Sequence, residues 1–197
     1  DFFQQKFIKI SGGGKKKSLE NEDKYIARDP GVLRGALFDI YEPACENYYF
    51  SRSVDEQVKK DFSVSSLWVY GPSGTGKTST INRLLHLEGF SKISMCFSQC
   101  DINNPRDSFV SEMIESLCLH SGEDCFGIDR SYNTLTRMIF NRIKVSGSLV
   151  IFIDEVPVNE CRPEDQLLVL IEDILTSIKQ LSVTGYFGII VSSLGRP

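Results

Sequence analysis

Apolar residues recur along this chain with two periods, one typical of strands and one of helices. Continuous apolar runs at 67–70, 149–153 and 186–191 predict strands, and the second run reads as a central strand buried on both faces. At 93–98 apolar residues alternate with small polar ones, which predicts a strand with one solvent-facing side at a sheet edge.

Helical spacing of apolar residues fills the intervals between these strands. It predicts helices at 32–40, 53–62, 81–87, 109–117, 135–147 and 163–181. Ser53-Val54-Asp55-Glu56 reads as a capping box at the start of the second of them. Strands that alternate with helices imply a mainly parallel sheet covered on both sides, so we expect an α/β fold of three layers.

A glycine-rich loop lies between the first predicted strand and the helix that follows it. Its residues 71–78 read GPSGTGKT and fit G-x-x-x-x-G-K-[ST], the pattern of loops that wrap nucleotide phosphates. Glycines let backbone N–H groups turn inward as an anion nest, and the next helix adds its positive end. The expected nucleotide contacts are Gly71, Pro72, Ser73, Gly74, Thr75, Gly76, Lys77, Thr78 and Ser79, with Lys77 on the β and γ phosphates and Thr78 on Mg²⁺.

Two carboxylates follow the buried apolar run directly. Asp154 and Glu155 leave the carboxyl end of that strand, where the phosphate loop also lies in a parallel sheet. We expect Asp154 to hold Mg²⁺ together with Thr78, and Glu155 to polarise a water for attack on the γ-phosphate. The two motifs together are far more specific than either alone.

Composition narrows the classes of partner. The 197 residues carry a formal charge of −4, which gives no general support for nucleic-acid binding. The three lysines at 15–17 could contact phosphate or acidic lipid, but the run is more typical of a solvated loop. No apolar run approaches the roughly 20 residues of a membrane span, so we expect a cytoplasmic or nuclear protein without a membrane partner. The six cysteines match no zinc spacing and are expected as reduced thiols.

The phosphate loop followed by an apolar strand ending in Asp-Glu resembles the P-loop ATPases of the AAA+ and STAND groups. The resemblance implies ATP and Mg²⁺ as cofactors. Within it, the stretch from Tyr49 through the phosphate loop is similar to the initiator and origin-recognition clade and to the STAND signalling ATPases. By that resemblance Tyr49, Phe50 and Arg52 are candidates for the adenine pocket, with a packing role for the two aromatics equally open. A polar sensor would follow the last strand, at Ser192 or Ser193, and we assign the catalytic role to Ser193.

The resemblance also predicts how the chain is divided. We expect residues 1–47 to form an N-terminal extension with a flexible basic loop and a short helix, and residues 48–197 to form the ATPase core. A fifth strand, an arginine finger and a helical lid would lie beyond Pro197, so the core is expected to be incomplete at its C-terminus. A neighbouring subunit, in a homo-oligomer or hetero-oligomer, would supply the arginine finger.

Several functions use such a core. The first hypothesis is an ATP-hydrolysing machine, similar to the initiators, that acts on DNA or protein through nucleotide-dependent oligomerisation. The alternative is a STAND-type switch, in which ATP binding drives assembly and activates an effector. A small-molecule kinase has no need of Glu155 and carries an arginine-rich lid that is not visible; a GTPase lacks its Asn-Lys-x-Asp signature here. A structural module with a dead site is disfavoured, since the phosphate-loop and acidic residues are intact.

Overall fold

Five parallel strands form one sheet in the order β1-β2-β5-β4-β3. The structure, a computed structural model, describes residues 6–10, 41–62, 66–101, 103–158, 163–180 and 185–196. The strands are β1 Lys6–Lys9, β2 Leu67–Tyr70, β3 Lys92–Cys96, β4 Ser148–Val156 and β5 Tyr186–Ser193. The helices are α1 Ser53–Phe62, α2 Lys77–Leu87, α3 Pro105–Ser121, α4 Tyr132–Ser146 and α5 Pro163–Gln180, with short 3₁₀ helices at Pro43–Tyr48 and Phe97–Gln99.

Side chains of the central strand alternate between two separate cores. Leu149, Ile151 and Ile153 of β4 pack with α3, α4 and α5 on one side of the sheet. Val150 and Phe152 pack with α1 and α2 on the other side. All five side chains are at most 1% exposed, because a strand between two helical layers has no wet face. The predicted three-layer α/β sandwich is therefore confirmed.

The predicted elements within the described residues are present, with small shifts at their ends. β3 lies at the sheet edge and alternates between buried and exposed residues, as the sequence predicts. α4 ends at Ser146 and is capped by Gly147, whose φ of 73° is accessible to glycine without strain. The helix expected at 32–40 and the basic loop at 15–17 lie outside the described residues, and the division at residue 47 stays a prediction.

The start of α1 differs from the expected capping box. The helix begins at Ser53, and the carboxylate of Asp55 accepts the backbone N–H of Arg52 at 2.8 Å. The residue that reaches back is thus Asp55, and the prediction that placed Glu56 in this role is wrong by one residue. The shift matters because it leaves the Asp55 carboxylate beside the Arg52 side chain.

Strand β1 was not predicted from the sequence. It pairs with β2 from Lys6↔Leu67 to Lys9↔Tyr70 and extends the sheet beyond the phosphate-loop strand. Ile8 and Ile10 are buried whereas Lys9 is exposed, which is the alternation of an edge strand. At most three apolar residues show this alternation, and so short a run cannot be recognised from periodicity.

A helix must be long and apolar to cross a membrane. None of the helices in the part of the chain that the structure describes could cross a membrane.

The junction of β1 with the phosphate loop leaves no room for a side chain at Gly71. A Cβ there would lie 2.0 Å from the main-chain oxygen of Ile10, and the φ of 156° is one that L side chains rarely adopt. We expect Gly71→Ala to lower the free energy of unfolding by about 2–4 kcal/mol, since strain and overpacking add. Urea unfolding followed by fluorescence of Trp68, the single tryptophan, measures the loss.

Gly127→Ala is the matched control, because Gly127 also has a positive φ but no atom within 4 Å of the position that a methyl group would take. It should cost only the local backbone penalty of about 1–2 kcal/mol. Equal losses for the two variants would contradict the close approach of β1 to Gly71.

Candidate active site

The loop at 71–78 joins β2 to α2 and turns at two glycines. Gly74 and Gly76 adopt φ values of 74° and 77°, a left-handed conformation that is open to glycine and that also occurs in anion nests. The Thr75 hydroxyl closes the turn by donating to the Pro72 oxygen at 2.8 Å. Helix α2 starts directly afterwards, so its unpaired N–H groups and positive end face the same space.

Lys77 lies folded over the loop. It is 9% exposed, and its ammonium donates to the main-chain oxygens of Gly71 at 2.8 Å and Pro72 at 3.0 Å. Burial lowers the pKa of Lys77, while the nearby carboxylates of Asp154 and Glu155 act in the opposite direction. The loop thus holds one positive charge close to the place where an anion would be cradled.

Thr78 and Asp154 meet although they come from distant parts of the chain. The Thr78 hydroxyl donates to Asp154 Oδ2 at 2.7 Å, across β5, which separates β2 from β4 in the sheet. A hydroxyl and a carboxylate side by side are the hard oxygen ligands that Mg²⁺ prefers. Among the described residues there is no group of three or more His, Cys, Asp or Glu side chains suited to a metal. The pair nevertheless fits Mg²⁺, which commonly takes only one or two protein carboxylates beside waters and substrate phosphates.

Glu155 occupies a bulge in β4. The β4–β5 pairing runs Ile153↔Val191 and then Val156↔Ser193, so β4 carries one extra residue there. Glu155 has a φ of 59°, a conformation uncommon outside glycine that carries strain on the order of 1–3 kcal/mol. Without the bulge, strict alternation would send Glu155 to the opposite face from Asp154; with it, both border one cavity.

The Glu155 carboxylate has a partner on the edge strand. Cys96 Sγ donates to Glu155 Oε2 at 3.0 Å and also lies 2.9 Å from the Ser98 hydroxyl. Burial raises the pKa of the Cys96 thiol, and the neighbouring carboxylate adds to this, so Cys96 keeps its proton at neutral pH. Sequence reasoning did not assign Cys96 to the site, since its contact with Glu155 depends on the pairing of β3 with β4.

The two candidate sensor serines have different partners. The Ser192 hydroxyl donates to Asp154 Oδ1 and lies 3.4 Å from the backbone nitrogen of Glu155. The Ser193 hydroxyl accepts from Trp68 Nε1 at 2.8 Å and donates to the Gly195 oxygen at 2.5 Å. Both serines are 1% exposed and line the cavity. The catalytic role expected for Ser193 stays a prediction, and the contacts favour Ser192 over it.

A cavity of about 770 Å³ unites these groups. One wall is the loop and the start of α2, and the other is formed by the carboxyl ends of β4 and β5 with the segments that follow them. The lining includes Lys77, Thr78, Asp154, Glu155 and Ser192. Basic, hydroxyl and acidic groups therefore face one space large enough for a nucleotide.

A comparison with protein families assigns the chain to a group. The model of the ATPase family associated with various cellular activities (AAA) matches residues 67–185, which include the loop and the acidic pair. The chain belongs to the AAA family. Membership makes the chain a nucleotide-binding AAA core, since the family is one of ATPases. Among curated proteins none matches it.

One solved structure supports the P-loop fold of this AAA chain. The Walker-type ATPase Paby2304 of Pyrococcus abyssi is similar with a TM-score of 0.51 and 14% identity, over 75% of this chain and 46% of that one. The ORC2 protein of Aeropyrum pernix, solved in ADPNP–ADP complexes, is similar over 73% of this chain and 41% of its own, with 16% identity and a TM-score of 0.40. The chain spans less than half the length of either protein.

The adenine candidates of this AAA core lie behind the loop rather than in the cavity lining. Tyr49 is half-buried, and its hydroxyl lies 3.1 Å from Asp55 and 3.2 Å from Thr80. Arg52 donates to main-chain oxygens of the loop, and Phe50 is 49% exposed. Their contact with adenine stays a prediction. Thr80 went unnoticed in the sequence, although its spacing of four residues from Gly76 puts it on the α2 face above the loop.

An ion pair ties the same segment to α2. Arg83 donates to Glu46 through Nε and Nη2, at 2.9 and 2.6 Å, while its guanidinium stacks 4.5 Å from the centre of the Tyr49 ring. The Tyr41 hydroxyl adds a third bond to Glu46 at 2.8 Å. Arg83 and this hydroxyl hold the pKa of Glu46 below its usual range, against the opposing effect of burial.

This lowered pKa predicts how stability depends on pH. Because folded Glu46 binds its proton more weakly than unfolded Glu46, the pair stabilises the protein above about pH 4.5, and the gain disappears as pH falls below that value. Glu46→Gln should therefore cost more at pH 7 than at about pH 3.5. The cost at pH 7 should stay near 1 kcal/mol or below, since the Glu46 side chain is 37% exposed.

Urea unfolding of parent and variant at both pH values measures the difference. Glu42→Gln is the control, because Glu42 is exposed in the same segment. A Glu46→Gln cost that is the same at both pH values would contradict the ion pair with Arg83.

Proposed function

We propose that this chain is the ATP-binding and Mg²⁺-dependent ATP-hydrolysing core of a larger AAA machine. The observation that carries the proposal is the bond from Thr78 to Asp154, with Glu155 lining the same cavity. It brings a metal-binding pair and a candidate base to the mouth of a phosphate-binding loop. Family membership supports the same conclusion at the level of ATPases in general.

Each group then has a defined task. The loop N–H groups and Lys77 bind the β and γ phosphates, and Lys77 exchanges its bonds to Gly71 and Pro72 for bonds to phosphate oxygens. Mg²⁺, held by Thr78 and Asp154, would neutralise charge on the transferring phosphoryl group. Glu155 accepts a proton from water as the water oxygen bonds to the γ-phosphorus and the bond to the ADP oxygen breaks.

The open side of the cavity supports a role for a neighbouring subunit. Leu194 and Val158 both line the cavity, and Leu194 is 66% exposed. Exposed apolar side chains raise the free energy of a protein in water, and burial of their surface by another chain lowers it. We therefore propose that the core works in an oligomer, whose next subunit supplies an arginine to the phosphates.

Two versions of this function differ in what the protein acts on. The initiator-like version acts on DNA or protein, and the STAND-type version couples ATP binding to assembly and to an effector. ATP turnover that rises with DNA and falls steeply with salt would support action on DNA. Nucleotide-dependent assembly that is indifferent to DNA would support the switch.

Two variants test the hydrolytic role directly. Glu155→Gln keeps the size of the side chain but cannot take up a proton, so ATP binding should remain and kcat should fall by about 100-fold or more. Lys77→Ala should abolish nucleotide binding, since it removes the buried positive charge of the loop. Phosphate release and calorimetric titration with ATP and Mg²⁺ measure the two effects.

Glu172→Gln is the matched control, because Glu172 is exposed on α5, which packs on the opposite face from the loop helix. It should leave both binding and turnover unchanged. If Glu155→Gln hydrolysed ATP at the parent rate, Glu155 would not activate the water. If the parent bound no nucleotide, the proposed function itself would be wrong.

The two serines at the end of β5 give a separate prediction. Ser192→Ala removes a bond to Asp154 and should raise the Mg²⁺ concentration needed for half-maximal turnover by about 10-fold. Ser193→Ala leaves the Trp68 indole N–H without this acceptor and should instead lower the free energy of unfolding by about 1–3 kcal/mol. A larger loss of turnover in Ser193→Ala than in Ser192→Ala would restore Ser193 as the sensor.

A further inference from the structure

The guanidinium of Arg52 is bonded to the back of the phosphate loop. Nη1 donates to the main-chain oxygen of Thr75 at 2.6 Å, and Nη2 lies 3.5 Å from the oxygen of Gly76. Nη2 also donates to the Thr80 hydroxyl, one turn into α2. Both carbonyls belong to the residues immediately before Lys77, in the tightest part of the loop.

A bond to these carbonyls controls the direction of the amides that bind phosphate. In a planar trans peptide the C=O and N–H point in opposite directions. When Arg52 draws the Thr75 oxygen outward, the N–H of Gly76 turns toward the cavity, and the Gly76 oxygen directs the N–H of Lys77 in the same way. An anion nest requires this inward orientation of successive N–H groups.

Glycine at position 76 leaves room for this contact. A Cβ there would lie 3.4 Å from both Nη1 and Nη2 of Arg52, in van der Waals contact with the guanidinium. The φ of 77° at Gly76 independently favours glycine. The loop and the guanidinium are therefore fitted to each other on the side away from the cavity.

Arg52 is itself held in place by the start of α1. The Asp55 carboxylate pairs with Nη2 at 3.5 Å and accepts the Arg52 backbone N–H at 2.8 Å. The hydroxyls of Tyr49 and Thr80 each donate to the same carboxylate at 3.1 Å. These bonds fix the Asp55 carboxylate, and the carboxylate in turn orients the Arg52 guanidinium. A planar guanidinium can donate to two carbonyls at once in a fixed geometry, which a lysine ammonium cannot do.

We propose that Arg52 is a positioning residue for the nucleotide phosphates, acting through the loop backbone and not through the adenine ring. The inference rests on the proposed ATP binding. It assigns Arg52 a task different from that expected by resemblance, because its donors are engaged by Thr75, Gly76 and Thr80. The segment before α1 thereby becomes part of the phosphate site without lining it.

The test uses Arg52→Met, which keeps the length of the side chain but removes its donors. The dissociation constant for ATP with Mg²⁺ should rise about 10-fold or more, since a charge-assisted bond is worth at least that factor. Arg52→Lys should recover only part of the affinity. Tripolyphosphate serves as a second probe: its binding should weaken by the same factor as that of ATP, because the effect acts on phosphates.

Arg83→Met is the matched control. Arg83 also contacts the segment before α1, through Glu46 and Tyr49, but none of its hydrogen bonds within the described residues goes to a carbonyl of the loop. It should lower the Tm without nucleotide by a similar amount as Arg52→Met while changing the ATP dissociation constant less than about twofold.

Three results would overturn the inference: parent-like ATP affinity in Arg52→Met, an equal loss of affinity in Arg83→Met, or a loss for ATP with none for tripolyphosphate. The last result would establish an adenine contact instead. If the parent protein does not bind ATP, the proposed function is wrong. If the parent binds ATP, Lys77→Ala does not, and Arg52→Met binds as the parent does, only this inference is wrong.

Discussion

The hydrogen bond between Thr78 and Asp154 is the interaction on which the arrangement of the site depends. Neighbouring strands lie about 4.8 Å apart, so β2 and β4, with β5 between them, are separated by roughly 10 Å. In the proposed function, the phosphate chain and Mg²⁺ would occupy this gap. The first turn of α2 crosses it from one side and the end of β4 from the other, and the Ser192 hydroxyl on β5 fills the space beneath. Had β2 and β4 been neighbours, the same residues would crowd each other and leave no cavity.

The charges at the site explain why its residues are bonded to one another so extensively. Lys77 is buried, and burial disfavours its charge, but two loop carbonyls and the nearby carboxylates compensate. Glu155 lies on a strained backbone and is held by the Cys96 thiol. A site that binds a highly charged ligand must compensate its own charges before that ligand binds. Here each charged side chain does so by a hydrogen bond to a neutral donor or acceptor. These bonds can be exchanged for bonds to phosphate at little net cost.

The sequence predicts the layers, the central strand, the edge strand and the loop because each depends on residues close together along the chain. The run Leu149–Ile153 can be recognised as a strand without knowledge of its neighbouring strands, and the loop pattern is contained within eight residues. What the sequence did not predict depends on distant pairing. The place of β5 between β2 and β4, the strand at Lys6–Lys9 and the bulge at Glu155 follow from which strands pair and in what register. The engagement of Arg52 by Thr75 likewise requires α1 to pack beside the loop.

The contacts of Arg52 connect the nucleotide site to a segment that the cavity does not include. From Thr75 the bonds continue through Arg52 to Asp55 and Tyr49, and Tyr49 stacks under Arg83, which is paired with Glu46. These groups lie on three elements: the segment before α1, α1 itself and α2. A change in the orientation of the Thr75 peptide would alter the bonding of Arg52, and Arg52 cannot move without disturbing the start of α1. The bonds that hold the loop in its phosphate-ready form therefore also tie the loop to the outer face of this layer.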